Sequence, residues 1–258
     1  MRLALWQGEG VPGDLDATVA EAGRIARLAA DKGARLLVFP EGYLTGYYLP
    51  GLAPGGLPGV EGALAAVGRL AGEAGVSLVM GTHVEEGGRI ANAAVAFSDT
   101  GEEQGRYRKR ALFGPWEKAT FAPGRDSLLF DCAGLKVGVA ICYDVEFPEL
   151  LREPARQGAD LVVAPTALMA PHDRIARQVI PVRAMENQVF LAYCNRWGRE
   201  EELDYVGLSC ICGPRGRTIA AASDGPGLLV AELDPAELAE ERAENSYLAD
   251  LAALEARR

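Results

Sequence analysis

The sequence predicts a layered α/β sandwich built on a mixed sheet, folded as a single domain over residues 1–258. Helix-period and strand-period segments alternate along most of the chain, the pattern of helices packed on a sheet. No internal repeat, low-complexity tract or linker interrupts that alternation. A hydrophobic fraction of 49% over 258 residues is ample for one sizeable core.

The first strand expected is "LALWQG", Leu3 to Gly8. "DLDATVAEAGRIARLAADKG" then reads as a helix capped by Asp14 and closed by Gly33, and "RLLVFP" as the next strand. Glu41 to Gly59 is the longest irregular stretch, rich in Gly, Pro and Tyr, and a loop of that length is typically a lid or a binding segment. "VEGALAAVGRLAGEAG" reads as a helix, and "VSLVMGTHV" and "NAAVAFSDTGEEQGRYR" as strands, the latter turning at Asp99-Thr100-Gly101. "SLLFDCAGLKVGVAIC" reads as a hairpin, "FPELLREPARQG" as a helix and "ADLVVAPT" as a strand. "DRIARQVIPVRAMENQ" is expected to be helical despite Pro181, and "VFLAYCN" to be a strand. "VGLSCICGPRGRTIAAA" and "GLLVAELD" suggest a meander with a GPRG turn, and the Ala-rich tail from Asp234 suggests helix.

Composition removes several function classes. A formal net charge of −10 repels nucleic acid and anionic lipid, and no Lys/Arg stripe offsets it. No window holds the roughly 18 uncharged apolar residues of a membrane span, and the apolar run in "MRLALWQGEG" is too short for a secretion signal. A cytoplasmic location is therefore expected. The five cysteines are an odd count at irregular spacing, which argues against a disulfide framework, and two histidines give little material for a metal centre.

Chemistry is suggested where apolar strands stop. "VGVAICYDVEFPEL" climbs as a buried strand to Cys142, a place where backbone N–H groups and a helix dipole favour a thiolate and can hold an oxyanion. Taken alone, a cysteine there is as well explained as a buried core thiol. His83 and His172 offer few base partners, whereas Glu41 stands at the end of "LLVFP", where partial burial raises a carboxyl toward a base's range. Lys109 follows the "GRYR" strand, with Glu117 eight positions later; the charge cluster from Arg106 to Arg110 otherwise reads as a solvated face. A carboxylate base, an ammonium and a thiol together form a complete acyl-transfer set. A serine hydrolase is disfavoured because no G-x-S-x-G elbow occurs.

"FPEGYLTGY", "YRKRALFGPWEKATFAPG" and "VGVAICYDVEFPE" resemble, in order and spacing, the three catalytic signatures of the nitrilase superfamily of carbon–nitrogen hydrolases. The resemblance extends over essentially the whole chain, including "VRAMENQVFLAYCN" and the GPRG turn. It implies an α-β-β-α sandwich that pairs into a homodimer or a higher homo-oligomer, no metal or organic cofactor, and a Glu-Lys-Cys triad. By motif, Glu41 is then the general base, Lys109 the stabiliser of the tetrahedral intermediate and Cys142 the nucleophile. Glu117 orients lysine and substrate, and Tyr143 contributes its backbone N–H to an oxyanion hole. The expected activity is hydrolysis of a small amide through a cysteine thioester; a nitrilase, or an inactive binding module on the same fold, are the competing readings.

Substrate expectations rest on less. Tyr47, Tyr48 and Trp116 either line a pocket or cover the core, and Thr166, the last residue of "ADLVVAPT", is a further contact candidate. Cys132 and Cys194 read as core thiols, and Arg183, Glu186 and Asn187 as braces of the active-site layer. Glu146 occupies a position that in carbamoylases and ω-amidases is often Arg, and Leu168 one that is often Asn. "CYDVEFPE" most resembles the branch of 5-aminopentanamidases and R-stereoselective amidases, which take amine-bearing aliphatic amides. Two like charges about 4 Å apart at an effective dielectric near 20 repel by roughly 4 kcal/mol, so Glu146, with Asp173 adding to the field, favours an ammonium over a carboxylate. A carboxylate in a first helical turn also simply complements the helix dipole.

Overall fold

Neighbouring residues of each strand point to opposite faces, and here both faces are apolar. The structure, a computed structural model, describes residues 1–257. In β1 (Arg2–Gln7) and β2 (Leu36–Val38), Leu3, Leu5, Leu36 and Val38 enter one core, while Ala4 and Leu37 enter another. The second of these cores is roofed by α1 (Leu15–Asp31) and α2 (Val60–Ala74). Asp14 caps α1 by accepting from Ala17 N at 2.9 Å.

The first sheet continues through β3 (Ser77–Glu86), β4 (Arg89–Phe97) and β5 (Glu103–Arg108). A second sheet holds β6 (Leu129–Cys132), β7 (Leu135–Val139), β8 (Leu161–Thr166), β9 (Phe190–Asn195), β12 (Cys210–Cys212) and β13 (Thr218–Ala221). Val137, Val139, Ile141, Leu161, Val163 and Ala192 turn inward to meet Leu3, Leu5, Leu36 and Val38, so the two sheets pack face to face. Val162, Ala164 and Leu191 turn outward under α4 (Pro148–Arg156) and α5 (Ile180–Asn187). The result is an α-β-β-α sandwich with two mixed sheets, where periodicity alone suggests one.

Each sheet has parallel pairs at its centre and antiparallel pairs outside them: β1, β2 and β3 are parallel in the first, β7, β8 and β9 in the second. Of the expected C-terminal meander, the β12–β13 hairpin around the GPRG turn forms, but the last strand does not join it. After β13, the strand β14 (Gly227–Glu232) leaves the second sheet and pairs antiparallel with β1, completing the order β14-β1-β2-β3-β4-β5. Strand patterning looks the same in either sheet, so the crossing is not written in it.

The segment holding Pro181 also departs from expectation. Residues Ile175–Val179 form a π-helical turn before α5, consistent with a proline that has no N–H to give to the turn before it. Two further elements carry no strong local pattern: a short helix α3 (Gly114–Thr120) and a two-stranded arm, β10 (Trp197–Glu200) and β11 (Leu203–Val206). The tail is helical as expected, as α6 (Pro235–Glu244), capped by Asp234, and α7 (Tyr247–Glu255). No helix among the described residues is long and apolar enough to cross a membrane.

Candidate active site

Glu41 stands just beyond the C-terminal end of β2, and it is fully buried. Backbone packing puts it there. Phe39 N donates to Val79 O at 2.8 Å and Leu44 N to Gly81 O at 3.1 Å, so the chain leaves β2 pressed against β3. A Cβ on Gly81 would lie 2.0 Å from Pro40 O, so only glycine permits that approach. Asn92, on β4, donates its Nδ2 to Glu41 Oε1 at 2.7 Å.

Lys109 is fully buried as well, where a solvated charge cluster was the plain reading. It follows β5, its N–H donating to Asn92 O and its O accepting from Gly124 N, both at 2.8 Å. A Cβ on Gly124 would lie 2.1 Å from Arg108 O, which fixes glycine at that return. Lys109 Nζ bridges Glu41 Oε1 at 2.8 Å and Glu117 Oε1 at 2.7 Å. Glu117, on α3, also accepts from Tyr47 OH at 2.8 Å and from Phe113 N at 2.5 Å. Four donors thus meet around two carboxylates.

Cys142 lies past the end of β7 and opens a five-residue 3-10 turn, Cys142–Glu146. Its φ of +45° is in the left-handed region, a strained conformation for a non-glycine residue. Asp144 holds the elbow. Its buried carboxylate accepts from Ile141 N at 2.9 Å, Ala111 N at 2.7 Å, Arg110 N at 3.2 Å and Tyr107 OH at 2.9 Å. One side chain therefore ties the cysteine turn to the segment carrying Lys109. Arg183 braces the same turn from α5, donating to Val145 O at 2.8 Å and Glu146 O at 2.9 Å, and pairs with Glu186 at 2.9 Å. Asp144→Ala is expected to destabilise the protein by about 3 kcal/mol or more, because it strands buried donors; urea unfolding measures this.

The electrostatics overturn one expectation. Burial and the facing Glu41 push the Cys142 thiol well above its ordinary pKa, with Glu117 adding, against the opposing pull of Lys109 and the Ala167 N–H. Two facing carboxylates therefore oppose the thiolate that the strand-end position suggests, and the following turn is too short to supply a helix dipole. Burial lowers Lys109, but the facing Glu41 and Glu117 carboxylates outweigh it and hold the ammonium. Burial raises the Glu41 carboxyl, with Lys109 opposing and Glu117 adding. Glu41 Oε1 is engaged by Asn92 and Lys109, while Oε2 is buried with no hydrogen-bond partner. An acid-base group with one oxygen fixed and the other free can accept a proton from a neighbouring thiol.

The remaining candidates divide. Tyr47 is buried and holds Glu117, packing edge-on against Trp116 and Tyr205, so it belongs to the site rather than to a loop cover. Trp116 is half-buried against Tyr47, Tyr48 and Phe121. Tyr143 is half-buried and edge-on to Phe113 and Phe147. Glu146 is half-buried; burial raises its carboxyl, and His172, Arg174, Arg183 and Lys109 pull it back. Thr166 is spent inside the fold, its buried hydroxyl donating to Ala164 O at 2.9 Å, which leaves it poorly placed as a substrate contact. Asp173 is exposed and pairs with Arg177 at 3.2 Å, and no contact brings it to Glu41, Lys109 or Cys142. Cys194 is a core thiol, donating to Val38 O at 3.1 Å, and Cys132 is likewise buried.

Asn92 and Asp144 escaped the sequence reading. A single Asn within the apolar run "RIANAAVAF" is the only local sign of the first, and the position two after Cys142 the only sign of the second. Among the described residues, no group of three or more His, Cys, Asp or Glu is arranged to hold a metal ion.

Known proteins resemble this chain over nearly its whole length. The carbon-nitrogen hydrolase family model matches residues 2–243. A hydrolase encoded in the pqqF 5′ region of Pseudomonas protegens is 38% identical, over 97% of this chain and 88% of its own length. An (R)-stereoselective amidase of a Pseudomonas species is 33% identical, over 97% and 91%. Among solved structures, an amidase from Nesterenkonia sp. superposes with a TM-score of 0.85 at 34% identity, over 95% of this chain and 94% of that one. A mutant of that amidase carries the acetamide moiety of fluoroacetamide covalently on its active-site cysteine.

Proposed function

The chain belongs to the carbon–nitrogen hydrolase family, the nitrilase superfamily, and is a hydrolase acting on amides; from that premise we propose that Glu41, Lys109 and Cys142 are its catalytic triad and that it cleaves small amine-bearing aliphatic carboxamides to acid and ammonia. The observation that carries the reading is the division of labour on Glu41: one oxygen is held by Asn92 and Lys109 and the other is buried and free.

The reaction follows from those charges. As Cys142 Sγ bonds to the amide carbon, its proton passes to Glu41, since the facing carboxylates oppose ionisation of the thiol beforehand. Lys109 and the Tyr143 N–H hold the oxyanion. Glu41 then delivers the proton to departing ammonia, afterwards takes one from the water that adds to the thioester, and returns it to Cys142 Sγ as the C–S bond breaks and the acid is released. Glu117, fixed by Tyr47 and Phe113 N, keeps the Lys109 ammonium aimed.

The amine preference rests on Glu146. Its carboxylate is half-buried and no hydrogen bond or ion pair from another described side chain engages it, so its charge is left for a ligand. Likeness to the (R)-stereoselective amidase supports the same branch. The test compares kcat/KM for 5-aminopentanamide, pentanamide and 2-oxoglutaramate. The wild type is expected to favour the amine at least about tenfold over the neutral amide, a difference of roughly 1.4 kcal/mol, and Glu146→Arg to reverse the order of amine and acid. Preference for 2-oxoglutaramate in the wild type refutes the substrate reading and leaves the triad standing.

We take the chain as one catalytic domain, both sheets sharing a single inner core, that works as a homodimer. Phe147, Val182 and Met185, at the start of α4 and on α5, are 37%, 45% and 38% exposed, an apolar face suited to a second copy. Sedimentation at micromolar concentration is expected to give the dimer mass; monomer alone refutes the pairing.

A further inference from the structure

We propose that Arg196 and Glu200 are positioning residues that clamp both ends of the Glu41–Tyr48 segment and thereby set Glu41 and Glu117 around Lys109. Arg196 directly follows β9 and is 1% exposed, among the largest buried side chains of the protein. A lone guanidinium so deep carries a large desolvation cost. It is met by Gly42 O at 3.1 Å, Glu41 O at 3.4 Å, the Glu200 carboxylate at 3.6 Å and the Tyr205 ring, whose centroid lies 5.0 Å from Arg196 Cζ. Two of those partners are the main chain of the base itself and of its neighbour.

Glu200 acts at the far end of the same segment. From the β10–β11 arm its carboxylate accepts from Tyr47 N at 3.0 Å, Tyr48 N at 2.9 Å and Tyr205 OH at 2.6 Å. Tyr47 then reaches from that anchored main chain to Glu117, and Glu117 to Lys109. Between the ends, Leu44 N is held by β3 and Thr45 Oγ1 lies 3.1 Å from His83 Nδ1. The segment has no helix or strand of its own. Its two functional ends are therefore fixed by one ion pair, and an error of about 1 Å in such a constellation is enough to cost on the order of 10² in rate.

The inference rests on the reading of Glu41 as base, and the experiment separates the two. Cys142 is titrated with iodoacetamide and located by peptide mass spectrometry, so that kcat is expressed per assembled site. Arg196→Met and Glu200→Ala are expected to lower kcat per titrated site by about 10- to 100-fold while KM moves less than about threefold. Arg196→Lys and Glu200→Gln are expected to recover part of the loss, each keeping one of the hydrogen bonds. Combining Glu200→Ala with Tyr47→Phe is expected to cost less than the product of the single losses, because both act through Glu117. Wild-type kcat per titrated site in both Arg196→Met and Glu200→Ala overturns the assignment, as does multiplicative behaviour of the pair. Where Arg196→Met does not fold, the two Glu200 variants decide; if these also fail to fold, the pair is a stability element and positioning is refuted. A wild type without amide turnover, or labelled at another cysteine, refutes the triad instead.

Discussion

Cys142→Ala is expected to keep the fold and to abolish amide hydrolysis. The loss follows from chemistry rather than damage: without sulfur no thioester forms, and in enzymes of this logic removal of the nucleophile costs on the order of 10⁶ in kcat. The elbow does not depend on the thiol, since Asp144 and Arg183 hold the turn through main-chain atoms. Stability is therefore expected to stay within about 1 kcal/mol of wild type. Intact-mass measurement with a slow amide is expected to show an acyl adduct on wild type and none on the variant. Full activity in Cys142→Ala would sink the triad.

Glu41→Gln is expected to lower kcat by at least about 10³, because a group that must take and give protons in both half-reactions is replaced by one that does neither. The side chain is nearly the same shape, so Asn92 and Lys109 keep an oxygen to bind. The pH profile gives the sign. Burial raises the Glu41 carboxyl above the ordinary carboxylate range, and the base works only when ionised, so kcat/KM falls as pH drops through that raised value. In Glu41→Gln the residual activity is expected to lose this acid limb. A variant that keeps both rate and limb assigns the base elsewhere, and loss of activity in His172→Ala would then favour a Cys/His mechanism.

Much of the site was legible because strand ends are legible. Glu41 and Cys142 each close an apolar run, and Lys109 follows the polar strand "GRYR"; that punctuation is local. Their supports are not. Asn92 reaches a partner 51 positions away, Asp144 one 33 away and Arg196 one 155 away, distances at which sequence pattern carries no register. Exposure misled as well: Arg106 to Arg110 reads as a surface run, yet Lys109, alone among its four charged residues, turns inward with Tyr107, because β5 alternates and the chain then folds back through Gly124. Two sheets were not separable from one for the same reason, since strands buried on both faces look alike whichever sheet they join.

The crossing of β14 to β1 has a consequence for how the molecule is made. Glu41 and Lys109 belong to the first half of the chain, but their sheet is not complete until residues 227–232 have been added beside β1. A ribosome that has delivered the first five strands has delivered the base and the ammonium on a sheet with one open edge and one uncovered face, awaiting Val137, Val139 and Ile141 to close it. Vectorial synthesis therefore delivers the early sheet well before the late strand that seals it, a non-local pairing of the kind that slows folding.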